Sequence, residues 1–400
     1  MWVNVQLPII NLAHRNILIA ASIASKVFIW LGGLSIDLFD LPIYYSAVIN
    51  VLHGVLPWAN GVEFYYPPLA LAPMLISYAF PLSGDFFGFA LGMRVLMTAC
   101  DVVTTLCIYY IGLKLYSEKK AFIAAMLNAT AFSVAYYVLA RFDAFPAALA
   151  LVAVLATVYS DRTKGYLGAV VGLFVKLWPM LLFPFLWLYN ARESSLFVEG
   201  KKRAVWFLLG SSLAFGLMLW AGYNKFLVYA EWVYCNTIPY TIHQYMQIAG
   251  IMVPFDIIAT IFRILTVAVI IGALYWMYHK SRSLTMMLKL ILVTIFVVIF
   301  FSQYRSPQYI VWLTPFAALL VAEDIWGILA FYGVQVLAYI EFPLTYGILW
   351  ENDHYVSKWA LGFFTVLFIG YGLLVWRAMI RIDTDEGPIH VEGMDYSSLN

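Results

Sequence analysis

Long apolar runs recur along the whole of this 400-residue chain, and they constrain its fold more than any other feature. The hydrocarbon core of a membrane is about 30 Å thick and needs roughly 17–25 apolar residues in each helix that crosses it. Only 11% of the residues are charged and 64% are hydrophobic, whereas about a quarter of a soluble domain is charged. The sequence therefore predicts an all-α fold, a polytopic transmembrane bundle of about 10–12 helices.

The predicted spans lie at 16–36, 87–113, 121–139, 144–160, 165–190, 204–222, 256–278, 284–302, 306–322, 325–344 and 356–377. We expect the span 165–190 to break at Pro179, because proline cannot continue a helix. No polar segment is long enough to bury a core of its own, so 1–380 is predicted to be one membrane domain and 381–400 a polar cytoplasmic tail. The first apolar run has no small-residue cleavage site, and no cleavable signal peptide is predicted.

Lys and Arg collect on one side of the predicted bundle, in the short connectors near 114–120, 162–164, 192–203 and 280–282. Such an asymmetry places these connectors in the cytoplasm. The opposite side receives two long loops, about 32–86 and 222–255, that are rich in aromatic, Pro and polar residues. Chemistry is therefore expected on the non-cytoplasmic face, at the cell membrane or, in a eukaryote, the ER membrane.

The first long outer loop, 35–86, carries two acidic residues directly after the first span. Asp37 and Asp40 lie where the membrane meets water, before an amphipathic stretch at 41–52. A carboxylate at this position can accept a proton from a sugar hydroxyl and remain close to a lipid-borne substrate. Asp40 fits equally well as the N-cap of the following helix. The Asp pair could also bind a divalent cation together with a substrate phosphate.

Several short motifs follow in a fixed order, combining acidic, basic, aromatic and proline residues: His53-Gly-x-x-Pro57, Glu63-Phe-Tyr65-Tyr66-Pro-Pro, Arg141-Phe-Asp143, Gly172-x-x-x-Lys176 and Arg305-Ser-Pro-Gln308-Tyr309. As an ordered set they resemble the GT-C membrane glycosyltransferases, particularly the polyprenyl-phosphate-mannose-dependent α-mannosyltransferases. The resemblance implies an inverting transfer of a sugar, mannose in the first instance. The donor would be a polyprenyl or dolichyl monophosphate sugar, and the acceptor a hydroxyl of a lipid- or glycan-linked molecule, without a cofactor.

The catalytic base implied by the resemblance maps best to Asp40, because its spacing to Tyr44 and Tyr45 fits, with Asp37 second. In a relative of this pattern one residue separates the two acidic residues, whereas two residues separate Asp37 and Asp40 in this chain. The choice between Asp37 and Asp40 as the base therefore remains open. A lipid phosphate departs as a stable anion, so one base suffices, unlike the two carboxylates of glycosidases.

A leaving phosphate also requires cations, and Lys176, Arg305 and Arg141 are the predicted donor-phosphate ligands. An ionisable side chain within a span usually faces the protein interior or a cavity. The alternatives are a structurally paired Lys176, an interface anchor at Arg305, and a mutual pair of Arg141 with Asp143. The predicted sugar and acceptor pockets use acidic, aromatic, histidine and amide side chains: Glu63, Tyr65, Tyr66, Asp143, His243, Gln308 and Tyr309.

Three further charges, Lys26, Arg94 and Asp101, are predicted to form structural pairs between helices. The six histidines are scattered without metal-ligand spacing, and no metal site is predicted from them. A net charge of +1 gives no indication of nucleic-acid binding. The partners expected are thus the lipid-linked donor, the acceptor and membrane lipids. A membrane transporter or lipid flippase, in which the same charges line a path, is the alternative function, and a non-catalytic scaffold is a third.

Overall fold

The computed structural model describes residues 11–32, 40–56, 62–80, 84–159, 161–193, 195–234, 236–345 and 358–380. Regular secondary structure in these ranges is entirely helical, without a strand. The all-α class predicted from the sequence is therefore confirmed.

In chain order the α-helices are α1 (Leu12–Leu31), α2 (Asp40–Leu52), α3 (Leu71–Ala79), α4 (Phe86–Leu115), α5 (Glu118–Ala129), α6 (Phe132–Ala140), α7 (Ala144–Val158), α8 (Arg162–Val175), α9 (Phe183–Asn190), α10 (Leu196–Glu199), α11 (Val205–Trp220), α12 (Ile238–Ile248), α13 (Phe255–His279), α14 (Leu284–Phe300), α15 (Ile310–Val321), α16 (Ile325–Tyr339) and α17 (Lys358–Met379). Short 3₁₀ segments precede α3, α9 and α15, and each has proline in its first turn. Proline is tolerated there because the first N–H groups of a helix have no partner within it.

Six helical segments of the described residues are long and apolar enough to cross a membrane: Leu12–Leu31, Phe86–Leu115, Leu196–Trp220, Phe255–His279, Ile325–Leu344 and Trp359–Met379. The pair α5 and α6, bent by 52°, would make a seventh. Other predicted spans, among them 144–160 and 284–302, form shorter apolar helices. By length and composition, these helices are those of a polytopic integral membrane protein.

Two predicted spans are interrupted. The span at 121–139 divides between Ala129 and Phe132, into α5 and α6. The span at 165–190 breaks at Lys176, earlier than the expected position at Pro179, and the backbone of Lys176 is extended. A helix continued to Pro179 would press the proline ring against the carbonyl of Val175, four residues back, so α8 ends at Val175.

The interior is built around α4 and α15. The helix α4 packs against α1, α3, α5 and α7, and every residue of α15 is buried. Lys26 of α1 and Asp101 of α4 form a buried ion pair, as predicted. Arg94 does not join that pair but lies over the ring of Trp30, 5.7 Å from its centroid. Lys26 and Asp101 therefore neutralise each other between helices, whereas Arg94 is held by an aromatic ring.

Candidate functional site

The turn that joins α6 to α7 carries two opposite charges, and each binds a residue from another part of the chain. Arg141 Nε lies 2.7 Å from Asp40 Oδ2. Asp143 Oδ1 lies 2.7 Å from Lys176 Nζ. Arg141 and Asp143 therefore do not pair with each other, which was one of the alternatives from the sequence. Arg141 pairs with Asp40, and Asp143 pairs with Lys176. Both acidic members and both cations had been selected from the sequence as site residues.

Asp40 is the first residue of α2, and its carboxylate is held from two sides. Besides Arg141, the hydroxyl of Tyr44, one helical turn further on, donates to Asp40 Oδ2 over 3.1 Å. Burial raises the pKa of Tyr44 well above its ordinary value, and the neighbouring Asp40 raises it further. Tyr44 therefore stays protonated and acts as a donor to Asp40. The second candidate base, Asp37, lies outside the described residues.

Lys176 reaches the site because α8 ends immediately before it. The backbone then folds back closely, since a Cβ at Gly172 would lie 2.5 Å from the Cβ of Pro179. The Lys176 ammonium sits among four aromatic rings, at 5.0–5.6 Å from the centroids of Tyr66, Phe142, Tyr309 and Trp312. Such rings attract a cation through their negative faces. Only Asp143 accepts a hydrogen bond from Lys176 among the described residues.

Residues at the start of α15 donate hydrogen bonds to, or accept them from, one member of each charge pair. Gln308 Oε1 accepts a 2.8 Å hydrogen bond from Arg141 Nε. Trp312 Nε1 donates to Asp143 Oδ1 over 2.6 Å. Tyr309 stacks on the Trp312 ring, with 3.8 Å between centroids. The other oxygen of Asp143 is buried and has no hydrogen-bond partner among the described residues.

Two adjoining cavities meet at this cluster. The first, of about 370 Å³, has largely apolar walls from Trp178, Leu181 and Phe226 and contains Lys176. The second, of about 270 Å³, is more polar and contains Asp40, Arg141 and Glu63. Four residues border both cavities: Tyr65, Tyr66, Tyr304 and Gln308. The site therefore combines an apolar chamber that holds a cation with a polar chamber that holds carboxylates.

Glu63 and Tyr137 are the least engaged polar groups of the second cavity. Glu63 is exposed, and within the described ranges no hydrogen bond or ion pair engages its carboxylate. The hydroxyl of Tyr137 is buried and lacks a hydrogen-bond partner among the described residues. A ligand hydroxyl in this cavity could bind to either group.

Arg305, a predicted phosphate ligand, borders neither of the two cavities. Its Nη1 and Nη2 atoms bind the two carboxylate oxygens of Glu341 at 2.7 and 2.8 Å. Nη1 also donates to the carbonyl of Asn236. The reason is geometric, since a planar guanidinium matches a carboxylate with two parallel hydrogen bonds. Glu341 was not selected from the sequence, although a carboxylate inside the predicted span 325–344 indicates a buried partner of opposite charge.

His243 also lies apart from the cluster. It belongs to α12 and packs against Tyr240 and Phe255, with ring centroids at 6.3 and 5.6 Å. It borders neither of the two cavities, so the structure does not bring it together with the other predicted acceptor-pocket residues. The packing role weighed against it from the sequence describes its surroundings better.

Sequence reasoning missed Trp312, Tyr304 and Phe342, which contribute to the site. Trp312 follows Gln308 at the i+4 spacing that puts two residues on one helix face, and this spacing could have indicated it. Phe342, by contrast, comes from the end of another predicted span and stacks on Tyr137. No local pattern connects it with the first outer loop.

Comparison of the chain with protein-family models gives no match, and comparison with curated proteins gives none either. Function is therefore inferred from the geometry of these two cavities and from the chemistry of the residues between them.

Proposed function

We propose that the chain is an inverting glycosyltransferase that moves a sugar, expected to be mannose, from a polyprenyl or dolichyl monophosphate to a hydroxyl of a lipid- or glycan-linked acceptor. The observation that carries the proposal is the pair of adjoining cavities, with Lys176 in the apolar one and Asp40 in the polar one. A lipid-linked donor needs an apolar chamber next to a cation. A hydroxyl acceptor needs a polar chamber next to a base.

On the donor side, Lys176 would bind the phosphate. Its ammonium has donor capacity beyond the single hydrogen bond to Asp143. The apolar walls beside it suit the first units of an isoprenoid chain. Trp178 adds a buried indole N–H without a hydrogen-bond partner among the described residues, at the border of the same cavity. In a water-poor chamber such donors stabilise the negative charge that grows on the leaving phosphate.

On the acceptor side, Asp40 would be the base. The attacking oxygen forms a bond with the anomeric carbon, the bond from that carbon to the phosphate oxygen breaks, and its electron pair leaves with the phosphate. The hydroxyl proton passes to Asp40. Arg141 and Tyr44 hold the carboxylate in place. In this proposal Arg141 positions the base Asp40, and Lys176 binds the donor phosphate.

The sugar would lie where the two cavities meet, beside Tyr65, Tyr66, Tyr304 and Gln308. Attack from the polar chamber and departure into the apolar chamber put the two oxygens on opposite sides of the anomeric carbon. This arrangement supports inversion of its configuration. Tyr309 and Asp143 would orient the Lys176 ammonium, Tyr309 with the face of its ring and Asp143 with its hydrogen bond. The proposal assigns this chemistry to the non-cytoplasmic face, opposite the basic connectors.

The test is transfer of radiolabelled mannose from polyprenyl-phosphate mannose to a membrane lipid extract by the purified protein. Asp40→Asn should keep donor binding and lower transfer by about 10²–10⁴-fold, the usual contribution of a general base. Glu63→Gln tests the other carboxylate of the same cavity, which lies outside the ion pair.

Asp37→Asn completes the series. Loss of transfer in Asp37→Asn or Glu63→Gln, with an active Asp40→Asn, would move the base to that carboxylate. Normal turnover in all three would exclude this mechanism. Absence of labelled product with several lipid-linked sugars would favour a transporter or flippase, and movement of lipid between leaflets would then be measured.

A further inference from the structure

A third cavity lies away from the glycosyl-transfer cluster, among α9, α10 and α13. It measures about 440 Å³, and its walls are aliphatic and aromatic, including Leu188, Leu196, Leu274, Tyr275 and Tyr278. Tyr275 and Tyr278 are themselves exposed. We call this cavity the α9–α13 groove. Its apolar walls and its open side suit a hydrocarbon chain rather than a polar ligand.

The position of the groove along the helices is informative. It occupies the last turns of the span Phe255–His279 and the first residue of the span Leu196–Trp220. The end of α13 at His279 marks the boundary of the apolar layer, and Leu196 lies on the near side of the basic run 201–203 that precedes the apolar part of the other span. The groove therefore lies where acyl chains meet lipid headgroups.

Each helix that forms the groove is followed within a few residues by cations: Arg192 after α9, Lys201 and Lys202 after α10, and Lys280 and Arg282 after α13. The guanidinium of Arg282 lies over the ring of Tyr278, 4.8 Å from its centroid. Arg282 also donates to the carbonyl of Ala191 over 3.0 Å, which joins the α9 side of the groove to the α13 side. Two acidic residues belong to these connecting segments, Glu193 and Glu199, and Glu199 is already paired with Arg162 and Arg203.

We propose that the α9–α13 groove is a binding site for an anionic phospholipid of the surrounding membrane. One acyl chain would fill the groove, and the phosphate would lie on the cations at its end. The charge pattern selects an anionic headgroup, because clustered basic residues next to a span attract acidic lipids far more than zwitterionic ones. This inference is independent of the sugar-transfer proposal, since the groove shares no residue with either cavity of that site.

The test uses the full chain in phosphatidylcholine nanodiscs that contain a small fraction of a phospholipid with a diazirine in its acyl chain. Photolysis followed by peptide mass spectrometry locates the crosslinks. Diazirine phosphatidylglycerol should label segments 184–196 and 271–278 at least about fivefold more than diazirine phosphatidylcholine with the same chains, roughly the effect of one cation at an anionic surface.

Arg192→Gln combined with Lys280→Gln should reduce the phosphatidylglycerol labelling to the phosphatidylcholine level. Both residues are exposed, so the substitutions are expected to leave the fold intact, although Arg192 also lies over the ring of Tyr189, 3.7 Å from its centroid. The matched control is Lys114→Gln combined with Lys119→Gln, which removes the same charge elsewhere and should leave the labelling unchanged. Equal labelling by the two lipids, or equal loss in the control, would overturn the proposal.

Discussion

Lys176 and Arg305 are both cations buried in an apolar bundle, but the structure surrounds them very differently. Both terminal nitrogens of Arg305 bind Glu341, at 2.7 and 2.8 Å, and only 1% of its side chain is exposed. Lys176 binds one oxygen of Asp143, and its ammonium otherwise faces aromatic rings beside a cavity. A buried cation within an apolar run therefore does not by itself identify a ligand site. The two cations differ in how many hydrogen bonds they can still donate to a ligand once their protein partners are bound.

The largest effect expected from this difference is on folding. Arg305→Met leaves the carboxylate of Glu341 buried without its cation, which should lower the free energy of unfolding by about 3–5 kcal/mol. Thermal unfolding in detergent measures the change. If the variant unfolds like the native protein and instead fails to bind donor, Arg305 is a phosphate ligand after all, and the contrast with Lys176 disappears.

The next effect concerns function at Lys176. Combining Lys176→Met with Asp143→Asn removes both charges of the pair and keeps an oxygen to accept the hydrogen bond from Trp312. Unfolding should change little, whereas transfer at limiting donor should fall by about 10²–10³-fold, as for loss of one oxyanion-stabilising donor. Asp143→Asn alone should lower the free energy of unfolding, because it leaves the Lys176 ammonium buried without its counter-charge, so the double variant is the one compared with the native protein. A fully active double variant would show that Lys176 is only a structural charge.

A smaller change in the free energy of unfolding is expected when both members of the Arg305–Glu341 pair are replaced, and it tests whether the pair is purely structural. Arg305→Met together with Glu341→Leu replaces a buried ion pair by apolar side chains, which is often neutral or stabilising. The double variant should therefore recover about 2 kcal/mol or more of the unfolding free energy lost in Arg305→Met. Denaturation of the two single variants and the double variant forms a complete cycle. Simple addition of the two losses would contradict a direct pair.

The smallest effect is expected at Gln308, which bonds to Arg141 but carries no charge. Gln308→Leu removes one hydrogen bond to a charged group, worth about 1.5–3 kcal/mol at most, so transfer should fall by roughly tenfold to a hundredfold. Gln335→Leu is a matched control, because Gln335 is a buried amide that borders neither cavity. Equal losses in both variants would mean that the effect comes from packing.

The helices were predicted more successfully than the site. The predicted spans at 87–113, 256–278 and 356–377 agree with α4, α13 and α17 to within a few residues. The Lys26–Asp101 pair was also predicted, because few charges occur in those spans and opposite charges attract strongly in an apolar interior. Arg305 and His243 lie apart from the other predicted site residues. The partner of Arg305 is 36 positions away, and nothing near His243 in sequence reveals which face of α12 is covered.

The sequence by itself determined that the chain folds as helices with an apolar exterior. In lipid every backbone N–H and C=O must be satisfied within its own segment, so composition and run length suffice. Only the tertiary structure decided that Asp40 meets Arg141, that Lys176 meets Asp143, and that Arg305 is enclosed by Glu341. Those pairings depend on which helix faces pack together, and packing is set by the shapes of many side chains at once rather than by any local pattern.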